Sequence, residues 1–154
     1  MTAYTLEMKE IFGYYPRYVI GLSTYAAEKF HPFYDYSAMA KSALETMAKY
    51  LAIHLQPHGT RVNVLRLPWI DTESPEAVFG KSAVKLARAL VPDEHRCTTE
   101  DVAKTVLGLC SGYMDAMTGQ VLGIDRGGHF QDHALGMIEF EHFRKLLKID
   151  FEAT

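Results

Sequence analysis

The feature that most constrains this chain is a long helical pattern, Tyr34–Leu55, set between two short apolar runs. The first run, Arg17–Leu22 (RYVIGL), carries Val and Ile, is bounded by Pro16 and Ser23, and reads as a buried strand. Pro57-His58-Gly59 closes the helix, and Arg61–Leu67 returns as a second strand that runs into the loop Pro68–Thr72. A strand, a crossover helix and a second strand imply parallel pairing with a right-handed connection. The helix is apolar on two sides. Leu44, Ala48, Leu51 and Leu55 form one stripe, and Tyr36, Ala40, Ala43, Met47 and Tyr50 form the other. One stripe can cover the sheet; the second needs a partner.

The remaining segments fit around that unit. Ala3–Phe12 places apolar residues at 4, 8, 11 and 12, a helical spacing that ends at Gly13 and Pro16. Thr98-Thr99-Glu100-Asp101 opens a further helix with a cap and an acidic first turn, with Val102, Val106, Leu107, Leu109 and Cys110 as its buried stripe. Thr118–Gly128 (TGQVLGIDRGG) reads as a third strand closed by glycines. Residues 73–92 form a loop and helix insert, with Lys81–Leu90 helical. Residues 131–154 are too apolar for a free tail, so two parts are expected: a domain over 1–130 and a docking helix over 131–154.

Length and charge narrow the partners. A chain of 154 residues with 48% hydrophobic and 23% charged residues has the composition of a globular domain. A net charge of −3 gives no broad attraction to nucleic acid or to an anionic membrane. Cys97 and Cys110 suit neither a disulfide framework nor a metal-ligand spacing, and the seven histidines lack carboxylates or cysteines at matching distances. No metal is expected. The N-terminus lacks a basic segment leading into an apolar core, and no apolar run reaches the length of a span, so the cytoplasm is the expected setting.

The chemistry-bearing stretch is Tyr34-Asp35-Tyr36-Ser37-Ala38-Met39-Ala40-Lys41, preceded by Ser23-Thr24-Tyr25. Tyr34 and Lys41 are seven residues apart, nearly two helical turns, so the two side chains share a face, whereas Tyr36 falls more than a quarter-turn away. An ammonium beside a phenol favours the phenolate and lowers a pKa that starts near ~10. Such a pair can deliver a proton to a developing oxyanion. The same spacing also suits a packing aromatic beside a solvated lysine.

Taken in order, Ser23-Thr24-Tyr25, the Tyr34–Lys41 stretch, the strand and loop Gly59–Thr72 and the strand Thr118–Gly128 resemble the C-terminal half of a short-chain dehydrogenase/reductase. The resemblance covers roughly residues 3 to 130. Tyr-x6-Lys looks most like the enoyl-acyl-carrier-protein reductase branch; the ketoreductase branch has Tyr-x3-Lys, and Ser37 occupies that position here. That branch also carries an aromatic residue nine or ten positions before its tyrosine, a place that Tyr25 fits. The resemblance implies an α/β fold, the C-terminal half of a Rossmann-like doubly wound parallel sheet, with three strands and flanking helices. The Gly-rich turn that holds the pyrophosphate belongs to the other half; residues 1–60 contain only the separated Gly13, Gly21 and Gly59.

The site residues follow from the same resemblance. Tyr34 would donate the proton, Lys41 would hold the nicotinamide ribose, and Ser23 and Tyr25 would line the catalytic site. Pro68, Ile70 and Thr72 would join Lys41 in contacting the cofactor, although Pro68 stands where the family commonly has glycine and removes an N–H. Residues 73–92 would cover the substrate, and the first two helices would form a dimer interface. Three functions are compatible with this pattern. The chain could be one subunit of a split NADH- or NADPH-dependent reductase, acting on an enoyl or keto thioester or a polyketide-like substrate and binding cofactor only with a complementing chain. It could be a non-catalytic structural partner of a complete homologue, or a stand-alone small-molecule-binding protein. The expected assembly is a homo-oligomer, or a hetero-oligomer with a chain that supplies the N-terminal half. A stable monomer is not expected.

Overall fold

The computed structural model describes residues 1–70, 72, 76, 80–82, 84, 85 and 96–130. They belong to two compact units: Met1–Asp71 with Cys97–Asp125, and Thr72–Arg96 with Arg126–Thr154. In the second unit the described residues Lys81, Ser82, Val84 and Lys85 are helical, in the segment expected to be a helix. The rest of the insert 73–92 falls largely outside the described residues, and the expected docking helix 131–154 falls entirely outside them.

The first unit is built on three parallel strands in the order β1 (Tyr18–Thr24), β2 (Arg61–Leu67) and β3 (Val121–Gly123). The three strands, their parallel pairing and the flanking helices are those anticipated from the sequence. β2 lies between the other two strands, and Val62, Asn63, Val64 and Leu65 are all buried. A central strand of a parallel sheet is covered on both faces, which is why four consecutive residues are enclosed here, the polar Asn63 among them. β1 runs two residues farther than expected, because Ser23 and Thr24 stay in the ladder opposite Arg66 and Leu67.

Helix α2 (Asp35–Leu55) supplies the core. Ala48, Leu51, Ala52 and Leu55 recur at helical spacing and pack with Val62 and Val64 of β2. The chain then turns through Gln56–His58 to Gly59, whose φ of +75° is the left-handed conformation that ends the segment. The second stripe of α2 is open: Tyr36 is 87% exposed and Tyr50 68%. Helix α1 (Thr2–Phe12) stops at Gly13, as its sequence indicates, and buries only Thr5 among its residues. Tyr4, Ile11 and Phe12 are exposed. Helix α3 (Thr99–Cys110) begins with a reciprocal capping box between Thr98 and Asp101. Leu109 is buried as expected, but Leu107 is not part of the stripe; it is 69% exposed, turned outward on the helix.

Two polar groups fasten the lower parts of the sheet. The Asn63 carboxamide donates to Met117 O at 2.9 Å and accepts from Gln120 N at 3.1 Å, which anchors the approach to β3. The Thr60 hydroxyl donates to Pro16 O at 2.9 Å. Between α1 and β1 lies a cleft of about 370 Å³ whose walls include Tyr4, Met8, Val19 and Ile20. Among the described residues β1 pairs with β2 alone.

β3 passes close to Tyr25. A methyl group added at Gly123 would sit 2.1 Å from the Tyr25 hydroxyl oxygen. Gly123→Ala is therefore expected to lower stability by about 1–3 kcal/mol through overpacking. Urea unfolding measures the loss, and restoration of most of it by Gly123→Ala combined with Tyr25→Phe would identify the hydroxyl as the obstacle.

Candidate active site

The candidate residues of the first unit lie at the C-terminal ends of β1 and β2 and at the start of α2, where parallel α/β sheets present their ligand sites. Tyr34 is the N-cap of α2 and not its first-turn residue. The helix begins at Asp35, one residue later than the sequence pattern indicates, and Ala38 N donates to Tyr34 O at 2.8 Å. Tyr34 is half-buried, with its ring 6.3 Å from that of His31. Tyr36 projects into solvent, in keeping with its off-face position. Lys41 donates from Nζ to Leu22 O at 2.8 Å, so the ammonium is held at the end of β1. One of its three N–H groups is used there.

Ser23 and Tyr25 have different surroundings from those expected of lining residues. Ser23 is buried, and its hydroxyl donates to Glu45 Oε1 at 2.6 Å. Tyr25 opens the short helical turn Tyr25–Ala27 and is only 8% exposed. Its ring packs toward β3, and its hydroxyl is hydrogen-bonded to Asp125. Burial first, then the Asp125 carboxylate, push this phenol above its usual range, so it stays protonated. The physical reason for both differences is that β1 carries Ser23 inward toward α2, and the turn that follows β1 carries Tyr25 toward β3.

Beneath them is an ionic cluster that the sequence reading missed. Arg66, at the end of β2, donates from Nε to Glu45 Oε1 at 2.8 Å and from Nη2 to Glu45 Oε2 at 2.7 Å. This is the two-pronged geometry that suits a guanidinium and a carboxylate. Its Nη1 pairs with Glu28. The Arg66 bonds hold Glu45 below the usual carboxylate range despite its burial, with Ser23 and Lys49 acting in the same direction. Two signals for this cluster are present in the sequence: an arginine inside the apolar run VNVLRL, and Glu45 on the buried stripe three residues before Ala48.

The expected cofactor-contact residues divide between the units. Pro68 and Ile70 follow β2 and are half-buried in the first unit with Lys41. Thr72 belongs to the second unit and is exposed, and Asp71 lies outside the described residues.

Residues 7–129 match the enoyl-(acyl carrier protein) reductase family. The enoyl-(acyl-carrier-protein) reductase (NADH) of Aquifex aeolicus is 35% identical over 112 residues, which cover 72% of this chain and 42% of that protein. The corresponding Rhizobium meliloti protein is 31% identical over 112 residues, covering 72% of this chain and 41% of its own length. The crystal structure of the Aquifex aeolicus protein superposes with a TM-score of 0.57 at 33% identity, over 75% of this chain and 40% of that one. The chain thus belongs to the short-chain dehydrogenase/reductase family and stands closest to its enoyl-acyl-carrier-protein reductase branch. It spans about two fifths of the length of these relatives.

Proposed function

We propose that this chain contributes the proton-delivering half of a nicotinamide-dependent reductase of enoyl or keto thioesters, in an assembly where another polypeptide supplies the Gly-rich nucleotide-binding half. The observation that carries this reading is Lys41, fixed to Leu22 O at the end of β1 on the helix that Tyr34 caps. The residues present fit one end of the cofactor. Lys41 keeps two N–H groups with which to hold a ribose diol, and Pro68 and Ile70 lie at the end of β2. When bound, the reduced nicotinamide supplies the hydride. Tyr34 meets the oxygen on which negative charge develops, the thioester oxygen of an enoyl substrate or the ketone oxygen of a keto one, and gives it a proton or a strong hydrogen bond. Solvent returns the proton to Tyr34 before the next turnover. Ser23 and Tyr25 act from behind the site in this reading, as groups that hold β1 to α2 and β3.

Among the described residues, the unpaired edge of β1, the cleft beside it and the exposed stripes of α1 and α2 support an assembled state. An unpaired strand edge and apolar helix faces invite another chain. Either a second copy or a chain carrying the nucleotide-binding half would cover them. Pro68 favours the alternative of a non-catalytic structural partner, since it offers no backbone N–H to a cofactor amide.

The test is purification of the chain from its native host with any polypeptide that accompanies it. The assembly is then assayed for NADH or NADPH oxidation in the presence of a short enoyl thioester. Thioester-dependent oxidation by the assembly supports the reductase reading. An assembly that forms but oxidises neither cofactor favours the structural partner. The chain alone is expected to bind NADH and NADPH weakly, because pyrophosphate contacts contribute most at a Gly-rich turn. Calorimetric titration checks this, and a micromolar dissociation constant for the isolated chain would refute the need for a second half.

A further inference from the structure

We infer that Arg66 is a positioning residue: through Glu28 it fixes the segment that delivers Tyr34, and through Glu45 it ties that segment to the buried side of α2. This inference rests on the reductase reading for its consequence in catalysis, and on the geometry alone for the tether itself.

Three observations carry it. The first is the branching of one side chain. Arg66 reaches from β2 to Glu45 on α2 with two bonds and to Glu28, beyond the turn Tyr25–Ala27, with its remaining nitrogen. Only a guanidinium has enough donors in one plane to hold two carboxylates in this way. Glu45 is nearly enclosed, whereas the Glu28 side chain is 45% exposed, so the buried limb sets the arm and the outer limb holds the loop.

The second is the conformation of Phe33. Its φ is +62°, a region that costs a bulky residue free energy, yet its side chain is 93% exposed and gains nothing from burial there. A strained residue without packing is maintained by what fixes its flanks. On its C-terminal side is the start of α2 at Asp35, and toward its N-terminus is Glu28. Without the latter anchor the segment could relax, and Tyr34 would lose its place as the N-cap.

The third is the surrounding set of bonds. Ser42 Oγ lies 3.0 Å from Ala27 O, and Lys41 reaches Leu22 O, so α2 is already fastened to the chain before Glu28. The Arg66–Glu28 pair adds an ionic hold past that point, toward Tyr34.

Amide hydrogen exchange on the full chain tests the tether directly. Lys29 N donates to Tyr25 O at 2.9 Å and Tyr34 N to His31 O at 3.3 Å, so both amides report on the segment. Glu28→Gln leaves the Arg66–Glu45 pair intact and removes only the outer limb. It is expected to speed exchange at Lys29 and Tyr34 by roughly 3-fold, the size of effect a partly exposed ion pair supports. The amides of Val62 and Val64 should not change. Arg66→Lys, which cannot span both carboxylates, should reproduce the acceleration at Lys29 and Tyr34. In an active assembly, Glu28→Gln should lower kcat with KM unchanged, because it disturbs the proton donor and touches no substrate. Unchanged exchange at Lys29 and Tyr34 in Glu28→Gln, or acceleration spread equally over β2, would overturn the inference. An inactive wild-type assembly would instead count against the reductase reading, and the exchange result would still decide whether Arg66 holds the segment.

Discussion

Tyr34→Phe is expected to lower the turnover of the assembled reductase by about 10²-fold or more, the contribution typical of a positioned general acid. The phenyl ring preserves shape and packing at the N-cap and removes only the hydroxyl. Tyr36→Phe serves as the control. Tyr36 lies two residues farther on, is largely exposed, and is more than a quarter-turn off the Lys41 face, so its loss should leave turnover essentially unchanged. Steady-state oxidation of the reduced nicotinamide, measured for both variants at saturating thioester, separates the outcomes. Equal losses would exclude the Tyr34–Lys41 pair as the proton-delivery unit, and loss at Tyr36 alone would move the function one half-turn along the helix.

The second large effect is one of stability. Arg66→Met is expected to cost about 3 kcal/mol at neutral pH, because it leaves the Glu45 carboxylate buried without its partner. The lower end of the usual range applies, since the Arg66 side chain is 20% exposed and water can reach part of the vacated site. The pH dependence gives a sharper test. With Arg66 present, Glu45 is held below its unfolded value near ~4.3, so its contribution is fully present above that pH and disappears as the pH falls through the folded value. Without Arg66, burial acts in the opposite direction and raises the carboxyl pKa. Acidification then protonates Glu45 in the folded state first and recovers stability. Urea unfolding at pH 7 and at pH 5 should show the gap between wild type and Arg66→Met narrowing at the lower pH. Glu45→Leu combined with Arg66→Met should be more stable than Arg66→Met alone, since it removes the unpaired charge. A gap that stays constant with pH would mean that the loss comes from packing.

Much of the fold was legible where one periodicity dominated. The stripe Leu44, Ala48, Leu51 and Leu55 marked both the existence of α2 and the side it buries, and Gly59 marked its end. β2 was legible in full because Val62, Val64, Leu65 and Leu67 make a β-branched and apolar run directly after the glycine that ends the helical segment. The N-terminal bound of α2 was not, since the pattern does not distinguish an N-cap from a first-turn residue, and the backbone at Phe33 sets the entry. Ser23 and Thr24 resemble loop residues in composition, yet the ladder continues through them. The candidate site was partly legible. Tyr34 caps the helix that carries Lys41, and the pairing of the two side chains is an expectation from spacing alone. The links among Glu28, Glu45 and Arg66, and that between Tyr25 and Asp125, depend on how a helix, a turn and two strands are brought together. No spacing along the chain encodes them.

The register of the sheet also bears on synthesis. Tyr18 pairs with Arg61 and Thr24 with Leu67, so every ladder partner of β1 is translated 43 residues after it. At the usual elongation rate of ~5–20 residues per second, that interval is roughly 2–9 s. For that time the run YVIGL is outside the ribosome before the strand it pairs with has emerged. α2 can coil during the wait, because helix formation takes microseconds or less, but it has no β2 against which to set Leu51 and Leu55. The nascent chain therefore passes through a stage in which a sticky strand and an apolar helix stripe are both unsheltered, and Arg17 and the hydroxyls of Ser23 and Thr24 are the polar groups that flank the strand during it.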